Sequence, residues 1–231
     1  RRIRPYYMDD EFSENRESWG LEDWVRHYEP RMLSQARELG YGVQDGRDLT
    51  DLELLALIQH YGGATRLMDF THNIFSALWF ACYEKSNFSK SGLVVGFDNG
   101  KGNIKKLTLE EASSNINSII ELGARKCFLW EPAYVLPRMY SQQSLFIFSY
   151  CHEHPATTLP ISSTAIYDNP DLICISITPN LKKEMLTNCE TWFGYTERTM
   201  FPGLQGFSKS HGVDNFFERG FLGGGIAPES L

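Results

Sequence analysis

LLALIQHYGGATRLMDFTHNIFSALWFAC, residues 54–82, is the stretch on which the fold turns. Its first part, Leu54–His60, continues an apolar run that begins at Leu49, and Gly62-Gly63 stops it, so 49–60 reads as a helix. TRLMDF (65–70) is too short for another helix and is bounded by turn residues, so it reads as a strand or extended segment. Asn73 then offers a side-chain oxygen to the free N–H groups of a new helix. On that helix the expected buried stripe is Ile74, Ala77, Leu78, Ala81 and Cys82.

Upstream, Leu21, Trp24, Val25, Tyr28, Met32, Ala36 and Leu39 recur at helical spacing, and Gly40 marks the stop. Downstream of Gly92 the pattern changes to short strands. Leu93–Phe97, Lys126–Trp130, Ser144–Tyr150 and Leu172–Thr178 are the candidates, rich in Phe, Ile and Leu. Thr108 with Glu111 predicts a capping box, and Asn180 is expected to cap a short helix over Leu181–Leu186. His152–Thr164, with two prolines and many hydroxyls, reads as a loop, and Gly223–Gly225 with Pro228 as a loose tail. Helices first and strands later, with neither repeat nor linker, predict one α+β domain: N-terminal helices packed on a mostly antiparallel sheet. Its expected core is about 50–210, preceded by a helical part at 1–48. The chain opens on Arg1 rather than Met, which predicts a piece of a longer protein.

Composition narrows the function. A chain of 231 residues with 42% hydrophobic side chains holds a sizeable core, which excludes a disordered tail. A net charge of -7 argues against a phosphate-backbone binder, so no nucleic-acid partner is expected. Arg1, Arg2 and Arg4, beside acidic Asp9–Glu11, read as a solvated terminus. Five cysteines without CxxC spacing, several in apolar runs, fit buried free thiols in a cytoplasmic protein. No run is long enough to span a membrane, and the N-terminus lacks the apolar stretch of a signal peptide. No metal is expected, because Cys151-His152-x-His154 lacks a zinc frame.

Polar and special residues crowd between Gln59 and Asn73: His60, Tyr61, Thr65, Arg66, Asp69, Thr71 and His72. A helix start with free N–H groups and a positive dipole end suits a phosphate or carboxylate, and Arg66 can add a bidentate contact. The same residues also read structurally, with Arg66 pairing Asp69 across a turn and Asn73 serving only as a cap. His60 is either an acid–base group or a cap for the last carbonyls of its helix.

This stretch resembles the FRG domain family, whose pattern runs like QHYG-x-PTRLLDWT-x-NP-x-x-AL-x-FA. The chain keeps Gln59, His60, Tyr61, Gly62, Thr65, Arg66, Leu67, Asp69, Thr71, Asn73, Ala77, Leu78, Phe80 and Ala81. It departs at Ala64, Met68, Phe70 and Ile74, all apolar. PRMYSQQSLF (137–146) resembles a second family segment through Arg138, Gln142 and Phe146, and TMFPGLQGFSK (199–209) resembles a closing one. The Phe-Arg-Gly triplet of the family's early strand does not stand in the N-terminal half, and Phe217-Glu218-Arg219-Gly220 lies at the wrong end.

The resemblance implies an ADP-ribosyltransferase-like layout that takes NAD as substrate or ligand. In such a layout a Ser/Thr strand shapes the nicotinamide pocket, and a late carboxylate stabilises the developing oxocarbenium charge. Laid on it, Tyr61, Thr65, Arg66, Asp69, Thr71, Asn73 and Arg138 become ligand-binding candidates. Gln142 stands near the late carboxylate, with Glu131, His60 and Glu197 as further candidates for chemistry. A glutamine bonds ribose hydroxyls but offers no negative charge. Two classes follow: an NAD-consuming or ADP-ribosyltransferase-like effector of bacterial conflict or phage defence, and a sensor that binds a nucleotide or protein without chemistry. In the first, Gln142 and residues 65–71 share a pocket, with Tyr61 or Phe146 as its apolar wall.

Overall fold

The computed structural model describes residues 21–84, 87–98, 104–122, 127–132, 137–149 and 172–210. These residues form an α+β structure that divides into two compact units built from interleaved segments. Unit 1 draws on 1–70, 95–135 and 144–175, and unit 2 on 71–94, 136–143 and 176–231. The first boundary falls inside the quoted stretch, between Phe70 and Thr71.

In unit 1, helix α1 (Leu21–Glu38) ends where predicted, and Gly40 adopts φ 84, a left-handed geometry that side chains disfavour. A two-residue ladder, β1 (Val43–Gln44) with β2 (Arg47–Asp48), follows. Helix α2 (Asp51–His60) starts at Thr50, whose hydroxyl accepts from Glu53 N while the Glu53 carboxylate accepts from Thr50 N. That capping box satisfies two end-of-helix donors at once. Strand β3 (Met68–Thr71) leads a four-stranded sheet in the order β3–β7–β6–β5, with β5 at Ile104–Lys106, β6 at Cys127–Trp130 and β7 at Ser144–Ser149. Strands β6 and β7 are antiparallel, but β5 and β6 run parallel, so the sheet is mixed.

Alternation along β6 and β7 loads both faces of the sheet. Leu129, Leu145 and Ile147 form one buried cluster with Phe70 and Phe97 against it. Facing register partners on the other positions are aromatic: Phe128 tilts on Phe148 at 5.5 Å, and Trp130 stacks on Phe146 at 5.4 Å. Cross-strand aromatic pairs of this kind fix register as well as burying area. The capping box predicted at Thr108 is present and opens α4 (Leu109–Ala112), and α5 (Ile116–Glu121) buries Ile116, Ile119 and Ile120.

In unit 2, α3 (Ile74–Tyr83) starts at Asn73, whose Oδ1 accepts from Phe75 N at 2.9 Å and from Ser76 N at 3.4 Å. Its buried line differs from the expected one. Ser76, Trp79 and Cys82 are buried, Ala77, Leu78 and Ala81 are partly so, and Ile74 is 47% exposed. The helix is apolar almost all round, so periodicity selects no face, and the large Trp79 takes the centre. The remaining helices of unit 2 are α6 (Pro137–Gln142), α7 (Pro179–Phe193), α8 (Glu197–Met200) and α9 (Leu204–Ser210).

Helix α7 corrects the expectation of a short helix capped by Asn180. Thr178 holds the cap position, because Pro179 at the first turn needs no N–H partner, and the helix runs on to Gly194 at φ 71. Strands β4 (Gly92–Phe97) and β8 (Leu172–Ile177) pair as a two-stranded sheet whose residues fall partly in each unit's range. The loop expected at 152–164 and the tail at 223–228 lie outside the described residues, as do Cys151, His152 and His154. No helix among the described residues is long and apolar enough to cross a membrane.

Candidate functional site

The polar residues of 59–73 fall in both units, and each unit holds its own share. The centre in unit 1 is ionic and enclosed. Arg66 presses Nε to Glu29 Oε2 at 2.6 Å and Nη1 to Glu22 Oε1 at 3.2 Å, and its own backbone N donates to Glu29 Oε1 at 2.8 Å. Its side chain is 1% exposed and that of Glu29 is 0% exposed. Burial pushes the Glu29 carboxyl up from the ordinary glutamate range, and Arg66 pulls it back only in part. A guanidinium held between two carboxylates in a dry interior has its charge already neutralised. Arg66 therefore ties the segment 65–70 to α1.

Beside it, Gln59 links two more of the predicted residues. Gln59 Nε2 donates to Asp69 Oδ2 at 2.8 Å, and Thr65 Oγ1 donates to Gln59 Oε1 while accepting from Leu67 N at 3.3 Å. Glutamates of α1 accept from Arg66, and Asp69 accepts from Gln59. His60 closes α2 edge-on to Tyr61 at 5.0 Å, and Tyr61 is exposed. Glu131 pairs with Lys106 Nζ at 2.6 Å, and Phe146 is spent on Trp130. All of these residues belong to unit 1.

The second centre lies in unit 2, where three distant segments meet. Thr71 Oγ1 donates to the carbonyl of Gln142 at 2.8 Å and accepts from Asn73 N at 3.0 Å. Gln142 Nε2 donates to the carbonyl of Met200 at 2.7 Å, and Arg138, one turn back on α6, lies over the Phe201 ring at 4.5 Å. Asn73 Nδ2 donates to Tyr195 Oη at 2.6 Å, and Tyr83 Oη donates to Glu197 Oε1. The Gln142 carboxamide, expected near a ligand, donates to an end-of-helix carbonyl of α8, and its backbone carbonyl accepts from Thr71.

An aromatic wall flanks this centre. Trp79 stacks on Tyr83 at 4.2 Å and meets Phe201 edge-on at 5.8 Å, and Phe75 stacks on Phe193 at 4.3 Å. Sequence reasoning named Glu197 only as one substitute among several and missed Tyr83 and Tyr195. No local signal singles them out, because Tyr83 ends an apolar helix and Tyr195 follows a glycine cap. Among the described residues no group of three or more His, Cys, Asp or Glu is placed to hold a metal.

Residues 10–90 match the family model of the FRG domain, which bears out the resemblance read from 54–82. The match reaches back through α1, beyond the core expected to start near 50, and the Arg66–Glu29 pair supplies a physical reason for including that helix. No curated protein and no solved structure matches the chain.

Proposed function

We propose that this chain binds NAD or a related nucleotide through unit 2, with the ADP-ribosyltransferase-like layout that its FRG signature implies. The observation that carries the reading is convergence: Thr71, Gln142 and the 195–201 segment come from three distant parts of the sequence and are hydrogen-bonded into one centre. A site assembled this way from polar groups beside aromatic walls is the usual form of a small-molecule pocket. Glu197, half-buried and engaged by Tyr83, is a carboxylate of that unit that could face a developing ribosyl cation. It suits that role better than Gln142, which is neutral, or Glu131, which is paired with Lys106 in unit 1.

The test is incubation with NAD labelled in the nicotinamide and, separately, in the adenylate moiety. Release of nicotinamide, with or without label on protein, is the expected result, and Glu197→Gln should lower that release by at least about tenfold. NAD binding without release would favour a second reading, a sensor without chemistry. The engagement of the Gln142 carboxamide by Met200 speaks for that reading, since the group at the expected late-carboxylate position is already used in folding. Neither binding nor release would sink both.

A further inference from the structure

Helix α3 carries a polar seam along the side it turns inward. Asn73, Ser76, Trp79 and Tyr83 follow one another at three- and four-residue spacing, so their side chains lie on one face. The two ends of the seam are satisfied by the 195–197 segment: Asn73 Nδ2 by Tyr195 Oη, and Tyr83 Oη by Glu197 Oε1. The middle is not. Among the described residues Ser76 Oγ and Trp79 Nε1 have no hydrogen-bond partner, and both residues are fully buried, at 0% exposure.

Such atoms are costly. An indole N–H can only donate, and a buried donor with no acceptor forfeits about 1–3 kcal/mol. Two of them one turn apart, in a seam whose other members are all hydrogen-bonded, are poorly explained as accidents of packing. Trp79 also gains nothing from its N–H as a packing element, since its stacking on Tyr83 would be equally available to a phenyl ring.

We infer that Ser76 Oγ and Trp79 Nε1 together bind one small, neutral hydrogen-bond acceptor inside unit 2. The guest accepts from the indole N–H and exchanges a second hydrogen bond with the serine hydroxyl. Its chemistry is that of a water molecule or a carboxamide, and an anion is disfavoured because no cation is offered by the seam. The inference stands whether or not NAD binds; only the assignment to a carboxamide rests on the proposed function.

Urea unfolding of the full chain tests it through Ser76→Ala, Trp79→Phe and the double variant. If the guest is real, each single substitution lowers the folding equilibrium constant about fivefold, and the double loses little more than the larger single, because both act through one bound molecule. Unchanged or increased stability in both singles would overturn the inference, since that is what removing an unsatisfied buried polar group does. Indole 15N–1H spectra then identify the source without relying on the variants. A cross-relaxation peak from the Trp79 indole proton to water assigns a water molecule. A shift of that proton on titration with nicotinamide, without a water peak, assigns the carboxamide. A Trp79 indole proton that shows neither overturns the inference.

Discussion

The centre around Arg66 in unit 1 and the centre around Thr71 in unit 2 come from one continuous motif, yet they are built on opposite principles. The first places full charges in the dry interior and cancels them against each other, Arg66 against Glu29 and Glu22. The second uses neutral hydroxyls and amides, each satisfied at one end by a carbonyl or a tyrosine, with one carboxylate at its margin. A buried ion pair is unforgiving: removing one partner strands the other charge. Neutral donors can exchange a protein partner for a ligand at little cost. The comparison teaches that the most charged residue of a signature can also hold the scaffold, as Arg66 does through Glu29 and Glu22.

The largest expected effect breaks the ionic centre. Glu29→Ala removes the backbone and Nε hydrogen bonds of Arg66 to α1, leaving Glu22 beside the buried guanidinium, and should destabilise the protein by about 3–5 kcal/mol, measured by chemical unfolding. A loss below about 1 kcal/mol would mean that Arg66 reaches solvent or another anion easily, and the contrast between the centres would fall.

The neutral centre should respond less. Asn73→Ala removes both the α3 cap and the Tyr195 bond, with an expected loss of about 1–2 kcal/mol. Asn73→Ser, which keeps a capping oxygen but cannot reach as far, separates the two contributions. Recovery of most of the stability by serine would assign the loss to the cap and leave Tyr195 free for a ligand role.

The smallest effect sits at the rim of unit 1 and is pH-dependent. The Arg47 guanidinium, hydrogen-bonded to Glu53 at 2.7 and 2.8 Å, holds that carboxyl below the ordinary glutamate range. A depressed folded-state pKa contributes stability above the unfolded value and loses it as pH falls through the folded one. Arg47 is half-exposed, so the contribution is under about 1 kcal/mol. Arg47→Met should therefore cost a fraction of that at pH 7, and its difference from the parent should shrink and vanish as pH falls below the ordinary glutamate range and through the lowered folded-state value. A difference that persisted into acid would show that Arg47 acts through packing.

Much of the local structure was legible. Gly40 stops α1, Asn73 caps α3 and Thr108 opens α4, because each signal acts within a few residues of backbone. Length, the α+β order of elements and the membership of 54–82 in an FRG-like pattern were equally written in the sequence, since they depend on composition and local spacing. What only the tertiary structure decided was partnership. That Arg66 pairs with Glu29, 37 positions away, follows from α1 covering the segment, which no local pattern encodes. The buried face of α3 was settled the same way: a helix apolar on every side has no preferred face until Trp79 finds its place among Tyr83, Phe201 and Cys189. Local hydrogen bonds are fixed by neighbours along the chain, whereas a buried charge or a large ring is fixed by whatever can neutralise or enclose it, and that is a property of the packed molecule alone.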